Sequence, residues 1–87
     1  MKYMKQPVVI DAIQWTGGNL DECMEFLGES FGSHWAERRI NGKSEIIVLT
    51  LEGHHIASKK DYLIRGVKGE HYPCNPDVFE LTYERVE

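Results

Sequence analysis

Residues 61–83 read DYLIRGVKGEHYPCNPDVFELTY, and this stretch decides the fold. Tyr62 to Arg65 and Glu70 to Cys74 have strand character, and Gly66-Val67-Lys68-Gly69 between them is a glycine-bounded turn. The pair predicts an antiparallel hairpin. Asn75-Pro76 then turns the corner, with Asn75 as a helix cap and Pro76 at the first helical position, where its missing N–H does no harm. Leu81 to Val86 closes the chain as a predicted edge strand.

Upstream the same grammar repeats. Ser44 to Leu51 (SEIIVLTL) is the clearest strand and should be central. It carries Ile46, Val48 and Thr50 on one face and Ile47, Leu49 and Leu51 on the other, because side chains alternate along a strand. Glu52-Gly53 turns it back into His54 to Ser58. Asn41-Gly42 is a turn signal before it, and Trp35 to Ile40 is a weaker strand. Pro7 to Trp15 (PVVIDAIQW) is a β-branched run that is apolar on both faces, which predicts a central strand. Thr16-Gly17-Gly18 breaks it. Asn19, with Glu22 three residues on, resembles a capping box for a helix over 19–28. Leu20, Cys23, Met24, Phe26 and Leu27 form its apolar face. Asp21, Glu22, Glu25 and Glu29 lie largely on the other, the early acids near the positive end of the helix dipole.

Helix and strands are segregated along the chain. The expected fold is therefore α+β, a single domain over residues 1–87 with one main helix packed on a curled, mainly antiparallel sheet of five to seven strands. Trp15, Phe26, Leu27, Ile47, Leu49, Ile64 and Phe79 are the expected core. At 87 residues that core is thin, which favours a homo-oligomer.

Composition narrows the setting. No apolar run approaches the roughly 18 residues of a membrane span, and Asp11 and Gln14 interrupt the start too early for a secretory signal. A cytoplasmic protein with reduced Cys23 and Cys74 is expected. The net charge of −4 is uneven: residues 1–30 and 70–87 are acidic, while 31–69 carry seven basic groups against four acids. The acidic total argues against long duplex DNA as a partner, because such binding rests on many phosphate contacts.

Catalytic and metal motifs are not spelled. His34, His54, His55, His71, Cys23 and Cys74 match no zinc spacing, and adjacent His54 and His55 on a strand point to opposite faces. Cys74 with His71 or His34 lacks a third, orienting group. Asp61 and Glu70 flank one hairpin and could approach each other, yet acids there more simply cap turns. Gly66 to Gly69 is too short for a phosphate loop. Neither a cofactor nor a metal is implied, and a small hydrolase built on His71 or Glu70 is the weakest reading. What remains is recognition. Lys59, Lys60, Tyr62, Arg65, His71 and Tyr72 interleave cations with aromatics, and Arg38 and Arg39 lie beside Trp35. Such a set can hold phosphate and stack a base.

Two blocks resemble a family of small phage and prophage proteins. The first is Lys5 to Trp15, similar to that family's K-K-P-V-V-I-E-A-x-Q-W opening. The second is Asp61 to Tyr83, similar to G-D-Y-I-I-x-G-V-K-G-E-F-Y-P-C-K-P-D-I-F-E-x-T-Y. Lys60 stands where the pattern often has Gly, and Asn75 where it often has Lys. The resemblance implies a phage origin and life in the cytoplasm of an infected bacterium. With the lack of a catalytic set, it makes a non-enzymatic binding protein the expectation. The leading form is an anti-defence protein that sequesters a host nucleotide second messenger or short oligonucleotide. The alternative is a protein–protein interaction module, either an inhibitor of a host defence enzyme or an accessory of the virion or of DNA metabolism.

Overall fold

The computed structural model describes residues 1–4, 6–36 and 42–86. Its elements are β1 (Asp11–Gln14), α1 (Leu20–Leu27) with a following 3-10 turn (Gly28–Ser30), β2 (Phe31–Ala36), β3 (Ser44–Thr50), β4 (Gly53–Ser58), β5 (Tyr62–Arg65), β6 (His71–Cys74) and α2 (Pro76–Thr82). The fold is α+β, as the segregated pattern predicts. The sheet is not one curled layer, however. The strands form two antiparallel three-stranded sheets, ordered β1-β5-β6 and β2-β3-β4.

The 61–83 stretch folds largely as its sequence dictates. Tyr62 pairs with Cys74 and Arg65 with His71 across the hairpin. The Glu70 carboxylate accepts from Lys68 N–H at 3.1 Å and lies over Gly66, where a Cβ would collide with it. Asn75 Oδ1 accepts from Asp77 N–H at 2.9 Å, and Pro76 opens α2. The helix then runs on to Thr82, and Tyr83 to Val86 form no strand, so the predicted edge strand at 81–86 is corrected. Thr82 has strand propensity, but Leu81 is a good helix former and the cap fixes helical geometry before either is reached.

The β1 prediction is also corrected. Only Asp11–Gln14 pairs, with β5 alone, so β1 is an edge strand and residues 6–10 are not in a strand. β3 is central, as expected, between β2 and β4.

One core joins both sheets. Trp15, Cys23, Leu27, Ile46, Val48, Ala57 and Leu63 are buried in it, with Ile13, Leu20, Phe26 and Phe31 packed around them. Trp15 is its hinge. Its indole N–H donates to Ser44 O at 3.0 Å, its ring meets His34 edge-on at 5.5 Å, and its backbone bonds Asp61 O and Lys60 N. The expected core of Trp15, Leu27 and Ile64 is buried. Phe26 and Phe79 are only half-buried. On β3 the buried face is Ile46 and Val48, not Ile47 and Leu49. Both faces of that strand are apolar, and α1 with the other sheet covers only one.

Asn19 does not cap α1 by the predicted route. Its side-chain oxygen accepts from Thr16 N–H and Oγ1, each at 2.9 Å, and its amide donates to Gln14 O and Glu22 Oε1. The residue ties the Thr16-Gly17-Gly18 loop to the helix instead of holding a helical N–H.

Candidate functional site

Most of the sequence-predicted site residues on the β1-β5-β6 sheet are engaged within the chain. Tyr62 and Tyr72 face α2 on one side of that sheet, while Arg65 and His71 face α1 on the other, as strand alternation requires. Tyr62 stacks on Phe79, with centroids 3.8 Å apart and planes 10° from parallel. Tyr72 hydrogen-bonds Tyr83, and burial first, then that bond, pushes its phenol up to about 12. Arg65 Nη2 lies 2.8 Å from Asp11 Oδ2, and the guanidinium sits 5.1 Å over the Phe26 ring. His71 Nδ1 shares a 2.9 Å hydrogen bond with Ser30 Oγ, and its ring meets Phe26 edge-on at 5.5 Å. Burial is the largest influence on His71 and lowers its pKa. The Phe26 backbone and Glu70 oppose that shift, and Arg65 reinforces it.

Lys59, Lys60 and Trp35 are differently placed. The β4–β5 turn carries both lysines, with Lys59 Nζ 3.3 Å from Gly42 O and its stem lying across Gly17. Trp35 pairs with Glu45, which pairs with Ser58 on its other side, so the indole and this turn share one end of the β2-β3-β4 sheet. Arg38 and Arg39 lie outside the described residues, as do Asn41 of the predicted turn and the end of the predicted Trp35–Ile40 strand.

The candidate catalytic groups are dispersed. Asp61 Oδ2 accepts from Ser58 N–H at 2.9 Å, which makes it a turn cap. Glu70 caps the other end of β5, so the two carboxylates do not approach as the hairpin allowed. Cys23 is fully buried, and that burial, with Glu22 nearby, pushes its thiol up to about 11, far from a reactive thiolate. Cys74 is half-buried beside Asn75 O, and its pKa is also raised, first by burial and then by Asp61. Among the described residues, no three His, Cys, Asp or Glu side chains gather where they could hold a metal ion. No helix among them is long and apolar enough to cross a membrane.

Open features among the described residues include a cleft of about 610 Å³ between residues 8–12 and α2, floored by Tyr62, Phe79 and Tyr83 and carrying Asp11, Glu84 and Arg85 on its walls. A smaller cleft of about 450 Å³ lies beside it, against Tyr72 and Glu70. Another open feature is the outward face of the β2-β3-β4 sheet, the face that β3 does not bury. Ile47 lies there opposite Ile56, Leu49 opposite His54, and Glu45 opposite Ser58, with Trp35 beyond Glu45. Ile56 is 56% exposed, Trp35 51% and Leu51 at the strand turn 98%. Gly32 on β2 lies against Ile47 and Leu49, where a Cβ would come within 2.8 Å of Ile47 O. The β-bulge between Phe31 and Ser33 sits at the same place. Of the expected core, Ile47 and Leu49 lie on this face and are half-buried; the exposed Trp35, Leu51 and Ile56 were not part of that expectation. The signal for it was present as the two-sided apolar pattern of β3.

Comparison with family models, with curated proteins and with solved structures found no match.

Proposed function

We propose that this chain is a non-catalytic binding protein that works as a protein–protein interaction module through the open face of its β2-β3-β4 sheet. The observation that carries the reading is the run of exposed aliphatic and aromatic side chains on that face, Trp35, Leu51 and Ile56, beside half-buried Ile47 and Leu49. Exposed apolar groups clustered on one sheet face mark contact surfaces, because solvating them is unfavourable and burying them is not. The separation of Asp61 and Glu70 in different turns, Cys23 inside α1 and Cys74 at the end of β6 supports the non-catalytic part. A phage origin and a bacterial cytoplasmic setting rest on the resemblance of the two terminal blocks. Within them, a host defence protein or a virion component is the class of target.

The test is capture from bacterial lysate on immobilised protein, wild type against Ile56→Glu. A partner retained by wild type and lost by the variant supports the reading. A partner retained equally by both, or turnover of a substrate by the purified chain, refutes it.

Sequestration of a nucleotide is a second reading. It is favoured by Lys59 and Lys60 sharing the Trp35 end of the sheet, where phosphate and a base could be held together. A thermal shift with cyclic or linear nucleotides that weakens with salt and with Lys60→Ala would favour it.

A further inference from the structure

We infer that the first occupant of the open sheet face is a second copy of this chain, packed face to face about a two-fold axis that crosses the strands in the plane of contact. The inference rests on the proposed function and names its partner. The face is self-complementary in its order. The strand register puts Ile47 and Ile56 side by side at its middle. Glu45 and Trp35 lie toward one end, and His54 and Leu51 toward the other. A two-fold axis across the strands stacks each end on the opposite end of the second copy. Ile47 and Ile56 then meet their own kind. Leu51 lies against the indole of Trp35, and His54 reaches the carboxylate of Glu45. Each contact occurs twice, as an isologous interface demands. Glu45 now accepts a bond from Ser58 Oγ at 3.2 Å, and that leaves a second carboxylate oxygen for the imidazole. The alternative axis, along β3, would set Glu45 against Glu45, which opposes like charges, and would carry His54 away to the β2 side.

The geometry suits sheet packing. Two antiparallel sheets stack about 10 Å apart with the side chains of their facing sides interdigitated, as the inner faces of a β-sandwich do. Here each copy supplies one sheet whose inner face is already closed by its own core.

Sedimentation equilibrium over a concentration series tests the inference. Wild-type protein is expected to associate as a dimer, and Ile56→Glu to be monomeric over the same range. An unchanged circular dichroism spectrum would show that the variant folds, which its exposed position predicts. Glu45→Lys and His54→Glu should each weaken association by about tenfold or more, as a lost central contact does. Their combination should recover most of that loss, because the charges are exchanged across the interface. A wild type that stays monomeric, a dimer undisturbed by Ile56→Glu, or a double variant no tighter than the singles would overturn the inference. A monomeric wild type whose lysate partner is still lost by Ile56→Glu would overturn the dimer alone and leave the interaction reading standing. An Ile56→Glu variant that changes neither association nor capture would remove both.

Discussion

Tyr62 lies flat on Phe79, with ring centroids 3.8 Å apart and planes 10° from parallel. The stack fastens α2 to the outer side of the β1-β5-β6 sheet, and Tyr83 extends it with its own ring 4.9 Å from Phe79. α2 has no fully buried residue, so this aromatic contact and the Asn75 cap are its main anchors. Phe79→Ala should therefore cost about 2 kcal/mol. That is below the 3–5 typical of a buried Phe, because Phe79 is half-exposed, yet it includes the stacking contribution. Urea unfolding measures the difference. A loss under about 0.5 kcal/mol would mean that α2 is held by something other than the stack.

Arg65 joins Asp11 across 54 residues of chain while covering Phe26. Its side chain is 43% exposed and that of Asp11 68%, so the ion pair itself is screened. Asp11→Asn should cost at most about 0.5 kcal/mol. Arg65→Ala should cost more, about 1 kcal/mol, because it also uncovers the Phe26 ring. A double-mutant cycle separates the two contributions. Equal losses for the two single variants would refute the role given to Phe26.

Some of this was legible in the chain and some was not, for physical reasons. The hairpin at 62–74 and the Asn75-Pro76 corner are local events, set by glycines, a proline and a cap within a few residues of one another. The central position of β3 follows from its uninterrupted apolar run. Which face of β3 is buried does not, because Ile46 with Val48 and Ile47 with Leu49 are equally apolar and tertiary packing chooses. Residues 7–10 look like a strand, yet the pairing register with β5 begins only at Asp11. The basic-aromatic cluster read from 59–72 is real as sequence, but alternation splits it. Tyr62 and Tyr72 go to one side of the sheet and Arg65 and His71 to the other, where own-chain partners such as Phe26 and Phe79 meet them. The open sheet face was missed because Ile47 and Leu49 at its centre were read as core.

Stability should fall toward both ends of the pH scale. In acid the relevant group is His71, whose pKa burial lowers from the ordinary 6.5. The unfolded chain takes up that proton before the native state does. The stabilising contribution is thus complete above about pH 6.5 and is lost as pH falls through the lowered native value. In alkali the groups are Cys23, raised from 9.0 to about 11, and Tyr72, raised from 10.0 to about 12, in each case chiefly by burial. Here the unfolded chain loses the protons first, so stability declines as pH rises from 9.0 toward 12. Chemical denaturation across pH measures both limbs. His71→Asn should flatten the acid limb and Cys23→Ala the alkaline one. An acid limb of unchanged slope in His71→Asn would show that other groups set it.

Lys60 has φ +79°, a left-handed conformation that costs a side chain energy and costs glycine little. Two hydrogen bonds hold its backbone there, and a third closes the turn beside it. Its N–H donates to Trp15 O at 2.6 Å, its carbonyl accepts from Gln14 Nε2 at 2.9 Å, and the neighbouring Asp61 N–H donates to Ser58 O at 3.0 Å. Lys60→Gly keeps every one of those backbone bonds and removes the strained Cβ. The relief exceeds the added entropy of a glycine in the unfolded chain, so the variant should be more stable by up to about 1 kcal/mol. Gly69→Ala, at φ +82° in the β5–β6 turn, is the opposite control and should lose about 1 kcal/mol or more. Urea midpoints of the two variants against wild type decide the matter. A Lys60→Gly protein less stable than wild type would show that the lysine side chain, and not the turn geometry, is what this position contributes to the fold.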